Sequence, residues 1–556
     1  GFDMKTTGGA GGTLLIDGAT NSPAITVTGN LAASAAGQPI TLSMGGGNWN
    51  VSGNFDLTNV ATFNHNSGTL IMNGTGTLTS NANTLQNLTT SGGGTITLAA
   101  ATHTLAGNLV IGSTGLTATG STVVMTGTAN LVGGGKTLNN LTINGTNTTV
   151  SAITSDLTVS GTLLIGGDAA ADTDVLSIAT GLTVSATGTT TITDATDTIS
   201  GLGTLRFTDT SSGPGTTGVL SSVVRYDATA ANIPSTTFDA RTYGGTVELY
   251  ANSGTAKTVS CADASTYTTS GATSSLYLIA AGAGDISLLC DTTTDPIVTI
   301  GGDLDFTGVG GGNETITTGG NTWTVTGNVD FSGGGAVTVT AGNTLTMNGT
   351  GTLTSNANAL QNFTTAGSGT VTLANAAHTI AGNLTLGGTS TLTMGSSTPS
   401  VAGNVTLAGT INPDTSTLTM SGTTKTLTGA GKTLNNLTSS GTIAMSGIVT
   451  LSGNMNISAG TFTADSASAF TVKGNWTNAG TYAEGTGTVT LAGLTSTTLD
   501  SGCANTDACA NQNFYNLILN KTDAADGNDN VSLTTNGINV ANLLTITDGE
   551  LVQGAF

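Results

Sequence analysis

The chain has 556 residues, 83 of them glycine and only 7 proline, with 31 acidic against 10 basic side chains and a formal charge of -21. Charged residues make up 7% and aromatics 4%, a composition that excludes an ordinary helical enzyme, a charge-rich disordered chain and a collagen. The bases are scattered singly from Lys5 to Lys521, which excludes a phosphate-tracking nucleic-acid surface and a surface for anionic membranes.

The opening, GFDMKTTGGAGG, lacks the basic and apolar regions of a secretory leader, so an exported protein is expected to be processed or excised. From there the chain fills with short alternating stretches such as TLTM, TVTL and NLTI, separated by Gly, Asn and Ser. Alternation puts Leu, Val, Ile and Met on one face and Thr, Ser and Asn on the other, which predicts strands. A Gly followed by Asn or Asp marks the unit at Gly29, Gly53, Gly107, Gly302, Gly327, Gly382, Gly403, Gly453 and Gly474. Outside a divergent middle, the spacings are one or two multiples of roughly 21 to 27 residues.

A longer repeat overlies this unit. Residues 73–112 and 348–387 match without a gap at a register of 275. MTGTANLVGGGKTLNNLT, from Met125, returns as MSGTTKTLTGAGKTLNNLT, from Met420, once an insertion in the second copy is allowed. The chain reads as a tandem duplication. No short unit could bury its apolar face alone, whereas stacked coils bury a continuous core and pair every strand above and below. The predicted fold is therefore all-β, a right-handed parallel β-solenoid (β-helix) with roughly 21 to 27 residues per coil. At about 23 residues per coil the chain makes roughly 24 coils, on the order of 115 Å of stack. Recurrent Asn and Thr are expected to form ladders in which each amide satisfies its neighbour.

In chain order, the first long repeat occupies 1–204, a divergent wider or inserted region with a cysteine pair 205–297, the second long repeat 298–499, and loop-bearing coils 500–556. Thr246, Val247, Glu248, Leu249 and Tyr250 resume the alternation, favouring wider coils over an inserted module. Cys261 with Cys290 and Cys503 with Cys509 read as two local disulfides in an oxidising setting, with free thiols the alternative. Neither pair has CxxC spacing, so zinc is not expected.

Catalysis on a solenoid would need clustered carboxylates with a basic partner or a pair at defined separation. Asp168, Asp172 and Asp174, or Asp194 and Asp197, are the candidates, yet no base lies near them in sequence. They read as solvated turn residues, and no enzymatic activity is expected. His103 and His378 occupy the same place in both repeats but have no Ser or Cys nucleophile beside them, and read as turn or rim positions. Trp49, Trp323 and Trp476 sit near Gly-Asn corners, either exposed as platforms for sugars or buried in the coil. DAADGNDN supplies Asp523, Asp526 and Asp529 in a Gly-containing loop, the donor chemistry of Ca²⁺ without the EF-hand spacing. It is the one cofactor candidate. Sequons abound because the repeat itself places Asn beside Thr.

Three units, GNWTNAGTYAEGTGTVTLAG (474–493), FYNLILN (514–520) and GKTLNNLT (431–438), resemble the tandem repeats of very large bacterial cell-surface proteins. SVVRYDATAANIPSTTFDA (222–240) resembles a segment found between such repeats. The resemblance covers most of the chain and implies a β-solenoid of an adhesin, surface filament or surface layer, hence an extracellular or cell-surface location. The expected function is a non-enzymatic structural protein of an extracellular assembly. Unpaired end strands would drive self-association into a filament or lattice. The alternative is an adhesin presenting 205–297 and 500–530 to a glycan or host protein, and behind it a polysaccharide-active enzyme. No nucleic acid and no membrane insertion are expected, since no run reaches the length of a membrane helix.

Overall fold

β-Branched and aliphatic residues alternating with Thr make strands that are half buried, and strands of three to five residues need neighbours to persist. The computed structural model supplies them as a parallel β-solenoid of about 23 turns with about 21 residues per coil. It is all-β, with no helix among the described residues. The structure describes residues 2–4, 14–18, 20–34, 39–167, 172–208, 213–227, 232–233, 238–252, 254–308, 312–465, 468–502, 513–522, 529–534 and 537–553. Two compact units divide it. The first holds Gly1–Ala262, Thr266–Ser274 and Ile279–Ile286, and the second holds Asp263–Ser265, Ser275–Leu278 and Ser287–Phe556.

Through most of the first unit a strand pairs in parallel with the strand three places later. Asn87–Thr90 lies on Leu109–Ile111, Thr95–Leu98 on Gly115–Thr117, and Thr102–Leu105 on Thr122–Met125. A coil therefore has three short sides joined by corners. Because the register keeps like on like, Leu70, Leu88, Leu109 and Leu131 stack as one inward column, none more than 2% exposed. Each such side chain contributes about 1.5–3 kcal/mol by burial.

The second unit follows the same plan. Its inward column runs Trp323, Leu345, Phe363, Leu384, Val405, Leu427 and Met445, all buried. On the outer face of the same strands stand Thr324, Thr346, Thr364, Thr385, Thr406 and Thr428 in register. Coil length varies at the corners between paired strands. Leu437 pairs with Met455, and Leu276 with Leu304.

The duplication extends to backbone detail. Asn81 and Ala82 turn their corner with φ of 48° and 60°, and Asn356 and Ala357 turn theirs with 47° and 62°. The Asn at each corner is held by its side chain, which donates to Thr58 O at 3.1 Å in one copy and to Phe331 O at 3.2 Å in the other.

Candidate functional site

The Gly-Asn corner is the most repeated chemical feature of the chain. Asn30 Oδ1 accepts the Asn54 N–H at 2.9 Å, and Asn54 Oδ1 accepts the Thr77 N–H at 2.8 Å. Further along the first unit, Asn87 caps Asn108 and Asn108 caps Asn130, both at 2.8 Å. The second unit repeats the device from Asn362 to Asn383, Asn404 and Thr426, and again from Asn436 to Asn454, Asn475 and Thr498. The sequence suggested amide paired with amide. The structure instead aims each side-chain carbonyl at a main-chain N–H, because a corner N–H has no strand partner and must be satisfied some other way. The preceding glycine is part of the same device. A Cβ on Gly53 would stand 2.4 Å from Asn30 Oδ1, on Gly382 2.4 Å from Asn362 Oδ1, and on Gly474 2.5 Å from Asn454 Oδ1.

His103 and His378 belong to strands Thr102–Leu105 and Ala377–Ile380, not to turns or rims, and are 0% and 1% exposed. His103 Nε2–H donates to Ala99 O at 3.0 Å and its Nδ1 accepts from Ser80 Oγ at 2.9 Å. His378 repeats this with Ala374 O at 2.9 Å and Ser355 Oγ at 2.9 Å. Burial pushes both imidazoles below their ordinary value, partly offset by the carbonyl each one faces. The three tryptophans are buried as well. Trp49 Nε1 donates to Met44 O at 3.1 Å and Trp323 Nε1 to Thr318 O at 3.0 Å, while the Trp476 ring packs edge-on against Phe470, Tyr482 and Phe514. None of the three is a platform for a sugar.

One corner of the first unit gathers carboxylates. Asp172, Asp174 and Asp197 each bring an oxygen within 4.8 Å of the others, and Asp174 and Asp197 are 0% exposed. Asp174 accepts the N–H groups of Thr148 at 2.9 Å and Gly145 at 3.2 Å. Asp197 accepts those of Asp174 at 2.9 Å and Asp194 at 3.1 Å, and Asp172 that of Asn147 at 3.2 Å. Burial raises the Asp174 carboxyl above its usual value; its N–H donors oppose this, and the neighbouring Asp172 and Asp197 charges add to it. The corner repeats the Asn device with carboxylates: each caps main-chain donors, and Asp197 reaches across to Asp174 of the coil before. Three carboxylates are donors a hard cation takes, and among the described residues the ion pairs of Arg206 with Asp227 and of Arg225 with Glu248 lie elsewhere. Asp168, from the same group in the sequence, lies outside the described residues.

Asp523 and Asp526 of the calcium candidate also lie outside the described residues, as do Cys503 and Cys509. Asp529 stands close enough to the Lys521 ammonium to raise its pKa, though burial dominates and pushes Lys521 down to about 8. That ammonium is 0% exposed and donates to Ala492 O at 2.9 Å and Thr495 O at 3.1 Å. Cys261 and Cys290 are buried and disulfide-bonded. Comparison with protein-family models, with curated proteins and with solved structures returns no match.

Proposed function

We propose that the chain is a non-enzymatic structural protein of an extracellular assembly, a cell-surface filament, stalk or surface layer of the kind its repeats resemble. The observation that carries the reading is that the residues the duplication preserves are consumed in stacking. Gly-Asn pairs cap corners, both paired histidines and the paired Trp49 and Trp323 fill the interior, and Leu, Val and Met form the inward columns. Oxidised Cys261 and Cys290 support an oxidising compartment.

The proposed means of assembly is burial of apolar side chains that stand exposed on strands among the described residues. Among the described residues, strand Val540–Asp548 pairs with Phe514–Asn520 alone. Leu544 stands opposite Leu517 and Ile546 opposite Leu519. Leu517 and Leu519 are 0% exposed, whereas Leu544 and Ile546, in the same inward register, are 41% and 51% exposed. In the first unit, strand Leu14–Asp17 pairs, among the described residues, with Ile40–Ser43 alone, beside an apolar cavity of about 290 Å³ lined by Met4, Ile16, Ile25, Leu42 and Trp49. Edges of this kind template another strand, and a contact between unlike surfaces of two copies gives an open filament. Electron microscopy and sedimentation of the whole chain test this. Ordered filaments or sheets with a regular subunit repeat are expected, and the double variant Leu544→Lys, Ile546→Lys should remain as single particles. Wild-type chains that stay separate at about 100 times the variant's concentration would sink the reading.

A further inference from the structure

We propose that a polar cleft in the first unit binds a neutral carbohydrate, a role separate from assembly and independent of it. The cleft arises from a break in the strand ladder. Gly115–Thr117 pairs with Thr95–Leu98 and ends its sheet, while Lys136–Leu138 opens the next by pairing with Leu157–Val159. Between them the chain passes through Gly134 and Gly135, at φ of 59° and 66°, and the two strands do not pair. Each carries an unpaired edge at this step, and between them lies a cavity of about 260 Å³.

Its polar lining is Thr117, Thr119, Thr137, Asn139 and Ser160, over a floor of Leu116 and Ala118. No acidic or basic residue takes part, and the nearest cation, on Lys136, is tied to Thr114 O at 2.9 Å. Ser160 Oγ donates to Leu138 O at 3.2 Å and keeps its lone pairs. The three threonine hydroxyls and the Asn139 amide make no hydrogen bond among the described residues. Hydroxyls and amides both donate and accept, which is the pairing that sugar hydroxyls require. The volume falls just short of the roughly 300 Å³ at which sites for drug-sized ligands begin, so it suits one sugar residue. With no charge in the lining, an anionic sugar would be desolvated without compensation.

The second unit provides an internal comparison. There Thr410–Asn412 ends a sheet and Lys432–Leu434 opens the next, at the same GKTLNN sequence. Asn435 and Ser452, which correspond to Asn139 and Ser160, are bonded to each other at 3.2 Å. The break belongs to the repeat, but the first unit alone leaves this amide open to a ligand.

Saturation-transfer NMR on the whole chain, with neutral hexoses and N-acetylhexosamines as probes and glucuronate as the charged comparison, decides the matter. At least one neutral sugar should bind with a Kd on the order of 1 mM. Thr137→Val and Asn139→Leu should each weaken it at least fivefold, and glucuronate should give no transfer. The corresponding variants of the second unit, Thr433→Val and Asn435→Leu, should bind as wild type, which separates loss of the site from a general effect on folding. Three results would overturn the proposal: no transfer from any neutral sugar at about 50 times that concentration, binding unchanged in both first-unit variants, or equal losses in both units.

Discussion

Asn108 holds two coils at once. Its N–H is capped by Asn87 and its Oδ1 caps the N–H of Asn130, so truncating it removes one acceptor and leaves a corner donor to water. Asn108→Ala should cost about 1 kcal/mol and speed amide exchange at Asn130, whose N–H that side chain accepts, more than at Leu109. Asn108→Asp keeps the acceptor and should restore most of the protection; equal exchange in both variants would refute the capping role. The Gly-Asn pair was legible as a marker but its reason was not, since only the coil-to-coil offset shows which donor each amide meets. The histidines carried a readable signal that went unused. In THTL the parity that turns Leu105 inward also turns His103 inward, and AHTI does the same for His378 and Ile380.

Strands in parallel register set like against like, and for charges this is a cost. Leu304–Phe306 lies beside Val329–Asp330 with Asp305 opposite Asp330. Burial first, then the charges of Asp330, Asp303 and Glu314, push the Asp305 carboxyl up to about 6. A carboxyl that holds its proton more tightly when folded contributes stability that is fully present below about pH 4 and is lost as pH rises through about 6. Asp305→Asn should therefore be more stable than wild type at pH 7.5, by about 1 kcal/mol after allowing for solvent screening, and equal to it near pH 4. Thermal melts at the two pH values check this, and an equal gain at both would point to packing instead. Coil stacking also explains the acidic corner. Asp174 and Asp197 are one coil apart in the chain, so they share a corner, whereas the sequence grouped Asp172 with Asp174 and Asp194 with Asp197 as near neighbours. Period-two alternation made the strands and their inward faces readable; it could not say which corners coincide, because coil length changes from one turn to the next.

The chain carries -21 formal charges, and every copy that joins another brings the same sign. The proposed assembly through Leu544, Ile546 and the apolar cavity around Trp49 would draw on burial, which is insensitive to modest salt, and would work against this repulsion, which is not. Raising the ionic strength from about 0.01 M to about 0.15 M shortens the screening length from about 30 Å to about 8 Å. Self-association measured by sedimentation should therefore strengthen over that range, while binding of a neutral sugar in the cleft near Thr137 should not change. Association that weakens with salt would mean the copies are held by ion pairs, and these apolar surfaces would then be no interface.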